Sequence, residues 1–178
     1  MHYLEKWRGH TQSPPRVAAI EILWSWLGSF LGIAAVSLLH FKLLDNTGLM
    51  MVIGSFGASA VLIYGAVRSP LAQPRNLIGG HILSAIVGVT AYRYLGWQPW
   101  LAASVAVSVS IALMHLTKTL HPPGGATALI AVIGGDAMHQ LGYLYVLIPT
   151  AAGACIMLAI ALVINNIPKG RRYPEFWL

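Results

Sequence analysis

The sequence predicts an all-α membrane protein with about six crossing segments in a single transmembrane domain, residues 1–178. The segments form two inverted three-span repeats, with broken helices near residues 54–57 and 119–125. Three observations carry this reading. The chain is 57% hydrophobic and only 9% charged, where a soluble domain carries about 25% charged residues. Apolar runs of span length divide it. The basic residues fall between those runs in a lopsided pattern.

Residues 1–16 are polar and mixed, with neither a cleavable signal pattern nor a transit pattern, and are expected to form a cytoplasmic segment. The first apolar run, 17–41, is longer than a signal-peptide core and reads as an uncleaved anchor. Its Gly28-x-x-x-Gly32 pair suits close helix contact. Runs 48–67 and 76–94 follow, the latter with a Gly80-x-x-x-Ser84-x-x-x-Gly88 ladder. Run 100–116 comes next, then a short run, 124–137, and a last one, 141–164. The short run covers about two-thirds of a ~30 Å hydrocarbon core at ~1.5 Å per residue. An extended lead-in through residues 119–123 supplies the rest at about 3.3 Å per residue. Residues 166–178 carry Arg171-Arg172-Tyr173-Pro174-Glu175-Phe176-Trp177, a basic and aromatic interface anchor on the cytoplasmic side. The single Cys155 lies within an apolar run and is expected to be a buried small hydrophobe.

Charge counting separates six crossings from a hairpin at the prolines. With a cytoplasmic N-terminus and six crossings, the inside holds Lys6, Arg8, Arg16, Arg68, Arg75, Lys118, Lys169, Arg171 and Arg172. The outside holds only Lys42 and Arg93. A hairpin would move the last three inside residues outward and spoil that asymmetry. Six crossings also expose a repeat. Gly57-Ala58-Ser59-Ala60-Val61-Leu62-Ile63 matches Gly125-Ala126-Thr127-Ala128-Leu129-Ile130-Ala131 at an offset of 68 residues. Each match sits in the second span of a three-span unit, 17–95 and 99–165. Three is odd, so the second unit inserts upside down relative to the first.

The prolines of His121-Pro122-Pro123-Gly124-Gly125 cannot sit inside a regular helix but suit its entry. The N–H groups of Gly125, Ala126 and Thr127 are then expected to open a helix without internal partners. At membrane depth such donors need protein, cavity water or a ligand. In an inverted repeat this start faces the one after Gly54-Ser55-Phe56-Gly57 near the midplane. Two helix N-termini, each carrying about half a positive charge, make a site for a small anion. Ser55, Ser59 and Thr127 add hydroxyl donors, and Gly57, Ala58 and Ala126 let an anion approach the backbone. Such faces equally permit close helix packing. His121 is open to three readings: anion donor, pH gate, or structural cap. Lys118 and Arg75 stand where they could draw anions to the cytoplasmic mouth or anchor loops. His81 lies deep in its run and is suspect as an intramembrane ionisable group.

The five acids, Glu5, Glu21, Asp45, Asp136 and Glu175, show no pairing for acid–base work. His115 and His121 have no second His or Cys cluster for a metal, and no phosphate-binding loop occurs. No enzyme and no cofactor is expected. The net charge of +6 fits topology better than nucleic-acid binding. The expected partners are the lipid bilayer, a small inorganic anion and a further copy of the chain through the small-residue ladders. The runner-up is a non-transporting membrane scaffold or sensor subunit.

Several blocks together resemble the HPP family of integral membrane proteins. They are Ser55-Phe56-Gly57-Ala58-Ser59-Ala60, Ser69-Pro70-Leu71-Ala72-Gln73-Pro74-Arg75-Asn76, Lys118-Thr119-Leu120-His121-Pro122-Pro123-Gly124-Gly125-Ala126-Thr127-Ala128, and Asn165-Asn166 with Tyr173-Pro174. The resemblance implies a compact membrane bundle, described for the family with four spans where charge counting favours six. Some members from plastids and cyanobacteria are linked to nitrite transport, so nitrite is the leading anion. The site residues the resemblance carries over are Gly57, Ala58, Ser59, His121, Pro122, Pro123, Gly125, Ala126 and Thr127. A bacterial cytoplasmic membrane, with both termini inside, is the expected location.

Overall fold

In the computed structural model, residues 3–9, 11–44, 47 and 49–178 are described. Asp45 and residue 48, where the second apolar run was expected to begin, lie outside them. The described residues form helices and connecting turns, without a strand. Helix α1, Ala19–Leu39, continues through a π turn at His40–Leu44. Next come α2, Ser55–Ala60 with a π turn at Val61–Gly65, and α3, Pro74–Leu95. Helix α4 is Pro99–Leu116, α5 Pro122–Ile133, and α6 the short Asp136–Leu141. Helix α7, Ala152–Ile164, is entered through Val146–Ala151. That entry bends at Ile148 (φ −131°, ψ 119°), where Pro149 has no N–H to give the preceding turn.

Three helical stretches are long and apolar enough to cross a membrane: Ala19–Leu44, Pro99–Leu116 and Val146–Ile164. Helices Ser55–Gly65 and Pro122–Ile133 are apolar but short. Helix α3 has the length but dilutes its hydropathy with Asn76, Gly80, His81, Ser84 and Gly88, all buried. These face protein rather than lipid, because α3 packs on α4, α5 and the kinked start of α7. The outside of the bundle is apolar, with Trp26, Phe30 and Leu38 of α1 and Val163 of α7 all exposed. Water would not tolerate so continuous an apolar surface. Together with the spans, it makes this a multi-pass membrane protein. Two local expectations change. The short run expected over 124–137 ends earlier, since Gly134 and Gly135 close α5 and Asp136 opens α6. Cys155 is exposed; α7 is apolar all round, so its sequence does not mark which face turns inward.

Small residues set the closest approaches. A Cβ on Gly80 would sit 2.8 Å from the Thr119 carbonyl oxygen and 2.6 Å from His121 Cβ. The extended segment 119–121 therefore crosses α3 directly over bare backbone. Helix α1 uses Gly28 and Gly32 in the same way, to seat the ring of Tyr64. The Tyr64 hydroxyl then donates to the Met157 carbonyl at 2.9 Å, tying α2 to α7 across α1.

One end of the bundle is closed by the C-terminal segment. Arg171 has five N–H donors, and five hydrogen bonds are present. Nε donates to Glu21 Oε2 at 2.7 Å, and the two terminal nitrogens to Tyr64 O, Asn165 Oδ1, Glu21 O and Ser25 Oγ. Tyr173 donates its hydroxyl to Ala72 O at 2.8 Å, and burial pushes that phenol above the usual tyrosine range, keeping it a donor. Arg75 stacks over Phe176.

Two stability predictions follow from this packing. Gly80→Val forces α3 off the 119–121 segment and is expected to cost about 1–3 kcal/mol, read as a lower melting temperature in detergent. Arg171→Lys keeps the charge but has only three donors in a compact head. It is expected to cost about 2 kcal/mol, the worth of charge-assisted bonds left unmade; an unchanged melting temperature would show the five-bond clasp to be idle.

Candidate functional site

Helices α2 and α5 run antiparallel side by side and both begin inside the bundle. Ser55 of α2 meets Thr127 of α5, and Ser59 of α2 meets His121 at the start of α5. Both starts are prescribed locally. Gly54 N-caps α2, and the Gly57 N–H returns to its carbonyl at 3.2 Å. For α5, Pro122 and Pro123 occupy the first two helical positions, where no N–H is wanted. The segment before them is aimed by the end of α4. There Thr119 N–H bonds Met114 O at 2.8 Å and Lys118 N–H bonds His115 O at 3.2 Å. This is a Schellman closure with Lys118 at the left-handed position (φ 57°) that usually takes glycine.

The side chains at the two starts join in one buried chain. His121 Nδ1 lies 2.8 Å from the Leu71 carbonyl, and its Nε2 lies 3.0 Å from Ser59 Oγ. Ser59 Oγ is also 2.7 Å from His81 Nε2 of α3. His81 Nδ1 is 2.7 Å from Thr127 Oγ1. Thr127 Oγ1 in turn lies 2.8 Å from Ser55 Oγ and 3.2 Å from the Pro123 carbonyl. Ser55, Ser59, His81, His121 and Thr127 are all fully buried. Phe56 sets its ring edge-on to His81 at 5.5 Å, and the two imidazoles are 5.0 Å apart. Among the described residues no carboxylate is buried, so the centre is polar and protonatable but carries no fixed negative charge. Hydroxyl and imidazole N–H groups suit an anion, and among the described residues no cluster of three metal-ligating side chains occurs.

The residues singled out from the sequence divide by helical geometry. Ser55 and Ser59 are four apart and share the inward face of α2, whereas Gly57 and Ala58 point out and are exposed. On α5, His121, Pro123 and Thr127 turn inward, Gly125 and Ala126 are half-buried, and Pro122 is exposed. The expected row of free N–H groups at Gly125, Ala126 and Thr127 is displaced, because the helix begins three residues earlier, at Pro122. The prolines remove two of the unpaired donors, and the Gly124 N–H closes on His121 O at 2.8 Å. The polar function of the site therefore moves from backbone to side chains. Arg75 and Lys118 do not join the network: Arg75 lies half-buried on Phe176 and Lys118 is exposed. His81 joins it, although the sequence offered only its depth in an apolar run as a signal.

Lys118→Gly relieves the strain of a left-handed side chain and is expected to stabilise the fold by about 1 kcal/mol. It is expected to raise the melting temperature by a few degrees.

The chain matches the HPP transmembrane-region family over residues 14–174. Two transmembrane proteins of Dictyostelium discoideum are similar to it. One is 48% identical over 180 residues, covering 99% of this chain and 58% of the relative. The other is 46% identical over 182 residues, covering 99% and 64%. The chain thus spans about three-fifths of the length of these relatives. No solved structure matches it.

Proposed function

Because the chain belongs to the HPP family of transmembrane proteins, we propose that it carries a small inorganic anion, with nitrite the leading candidate, across the membrane. The observation that carries the reading is the meeting of Ser59 and Thr127, one from each broken helix, on His81. An anion held only by hydroxyl and imidazole donors is bound weakly enough to leave, as transport requires. His121, tied to the loop before α3 through Leu71, would tune or gate that site. The nitrite assignment rests on the resemblance of the motif blocks to transport-linked members of the family.

Six crossings in two inverted repeats remain the reading of the topology. In its support, residues 50–54 and 119–121 are each a non-helical lead-in to a short helix, and those helices run in opposite directions. Contacts come in matching pairs: α1 with α7 and α4 with α3, α1 with α2 and α4 with α5. Gly153 of α7 packs on Phe56 of α2, while Gly88 of α3 packs on Ala128 of α5. We set both termini on the cytoplasmic side of a bacterial inner membrane. The basic-residue asymmetry supports the orientation.

A non-transporting scaffold or sensor subunit is favoured by one observation: the network satisfies itself and is closed on all sides. Nitrite flux into liposomes separates the two, with nitrate, chloride and formate as competitors. Saturable flux that falls about tenfold or more in Thr127→Val, the loss of roughly 1.4 kcal/mol of stabilisation, supports the anion site. Correctly inserted protein that passes none of these anions, and whose melting temperature ignores them, supports the scaffold.

A further inference from the structure

Proton bookkeeping around Ser59 leaves few choices. Its Oγ is flanked by His81 Nε2 at 2.7 Å and His121 Nε2 at 3.0 Å, and a hydroxyl has one proton to give. One ring nitrogen receives that proton, so the other must carry its own and donate back. His121 Nδ1 faces the Leu71 carbonyl at 2.8 Å, which only accepts, so this nitrogen is protonated. With both rings neutral a single arrangement remains. Thr127 donates to His81 Nδ1, His81 Nε2–H to Ser59, Ser59 to His121 Nε2, and His121 Nδ1–H to Leu71. These four hydrogen bonds then run the same way, and Thr127, with its one proton on His81, does not donate to Ser55 Oγ or the Pro123 carbonyl.

One added proton fits equally well, in two forms. On His81 it occupies Nδ1 and donates to Thr127, whose hydroxyl turns to Ser55 Oγ or the Pro123 carbonyl, 2.8 and 3.2 Å away. On His121 it occupies Nε2 and donates to Ser59, which then donates to His81 Nε2. The two forms interconvert when His81 passes its Nε2 proton to Ser59 as Ser59 passes its own to His121. No heavy atom has to change place. A second proton would leave the Ser59 hydroxyl hydrogen without an acceptor, so the capacity is one.

Among the described residues the surroundings supply no counter-charge. Helix α2 contributes only Ser55, Phe56 and Ser59 to the network, and α3 contributes only His81. Helix α5 contributes His121 and Thr127, and Tyr145 before α7 donates its hydroxyl to Thr127 O at 3.0 Å. The Asn76 amide is held on Leu120 O, and Met114 of α4 packs alongside. The one buried cation among the described residues, Arg171, has all its donors engaged elsewhere. A lone imidazolium in such a place is strongly disfavoured, and so is a lone anion. Each removes the penalty of the other.

We propose that the Ser59-bridged His81–His121 pair is a one-proton site loaded together with the anion, which makes the protein an electroneutral proton–anion symporter. The proposal rests on the anion-transport reading above. The proton comes from the water on the loading side and leaves to the water on the other, with no bond made or broken in the anion. Because the anion binds the protonated network, its apparent affinity falls as pH rises, by up to about tenfold per unit once the network is mostly neutral.

The test uses full-length protein in liposomes enclosing a pH-reporting dye, with nitrite added outside and the membrane potential clamped. Nitrous acid crossing in protein-free liposomes is measured and subtracted. The expected result is one proton entering per nitrite, a rate insensitive to the clamped potential, and a KM that climbs with pH. The double variant His81→Gln/His121→Gln, which retains hydrogen-bonding side chains but removes both places for the added proton, is expected to abolish the proton uptake. The wild-type proton count stands without it if that variant does not fold. Nitrite flux with no luminal acidification, or flux driven by the potential, overturns the proton site and leaves the anion reading intact. Absence of protein-dependent flux for any of the anions overturns both.

Discussion

Two helices that begin in the middle of an apolar bundle create polar groups where there is no water to satisfy them, and the rest of the structure is arranged around that demand. The starts of α2 and α5 meet the demand with each other. Ser59 reaches His121 and Thr127 reaches Ser55, while His81 from α3 bridges both hydroxyls. Unpaired donors at this depth would each cost a substantial fraction of the net stability of a domain. The network therefore fixes the register of α2 against α5 as firmly as the apolar packing does. His121 extends the constraint to the loop before α3 through Leu71 O, so the break in one helix is also tied to the turn that follows the other.

That register explains why α3 is built as it is. A helix that must pass under an extended segment, accept the start of α5 and present an imidazole to two hydroxyls cannot be uniformly apolar. Gly80 lies under Thr119 and His121, Gly124 sits against Ser84, and Gly88 lies against Ala128. His81 follows directly on Gly80 and is delivered to the network by the same close approach. Small residues on α3 thus serve packing and polar placement together, and their low hydropathy is a consequence of being enclosed by protein.

The same logic separates what could be read in the sequence from what could not. Helix breaks before Ser55 and before Pro122 were legible because proline and glycine act locally, through a missing N–H or a missing Cβ. Ser59 and Thr127, which hold the same place in the two matching Gly-Ala-Ser/Thr-Ala blocks, could be singled out from the sequence, and both reach His81. The share of the work done by backbone donors was not legible. Whether a proline pair stands before a helix or forms its first turn depends on three residues of extended chain, and those are set by the α3 surface they cross. His81 escaped for a related reason: a lone histidine in an apolar run has no local pattern that tells a ligand from a packed ring. The inward face of α7, and with it the exposure of Cys155, was hidden because an all-apolar helix has no polar stripe to orient it.

Proton capacity is the last property to emerge, and it belongs to none of the residues singly. A serine between two histidines is ordinary until one nitrogen is committed to a carbonyl, as His121 Nδ1 is to Leu71. That commitment fixes the tautomer of His121, which makes Ser59 a one-way donor in the neutral state and a reversible relay in the charged one. The carbonyl is free to act this way because the loop carrying it is pinned from outside, by Tyr173 on Ala72 and by Gln73 on Ser69 and Glu175. The closed end of the bundle and the buried centre are therefore coupled through two successive residues of one loop. A displacement of the C-terminal segment would loosen Ala72, release Leu71, and leave His121 Nδ1 without the acceptor that dictates the direction of the whole chain.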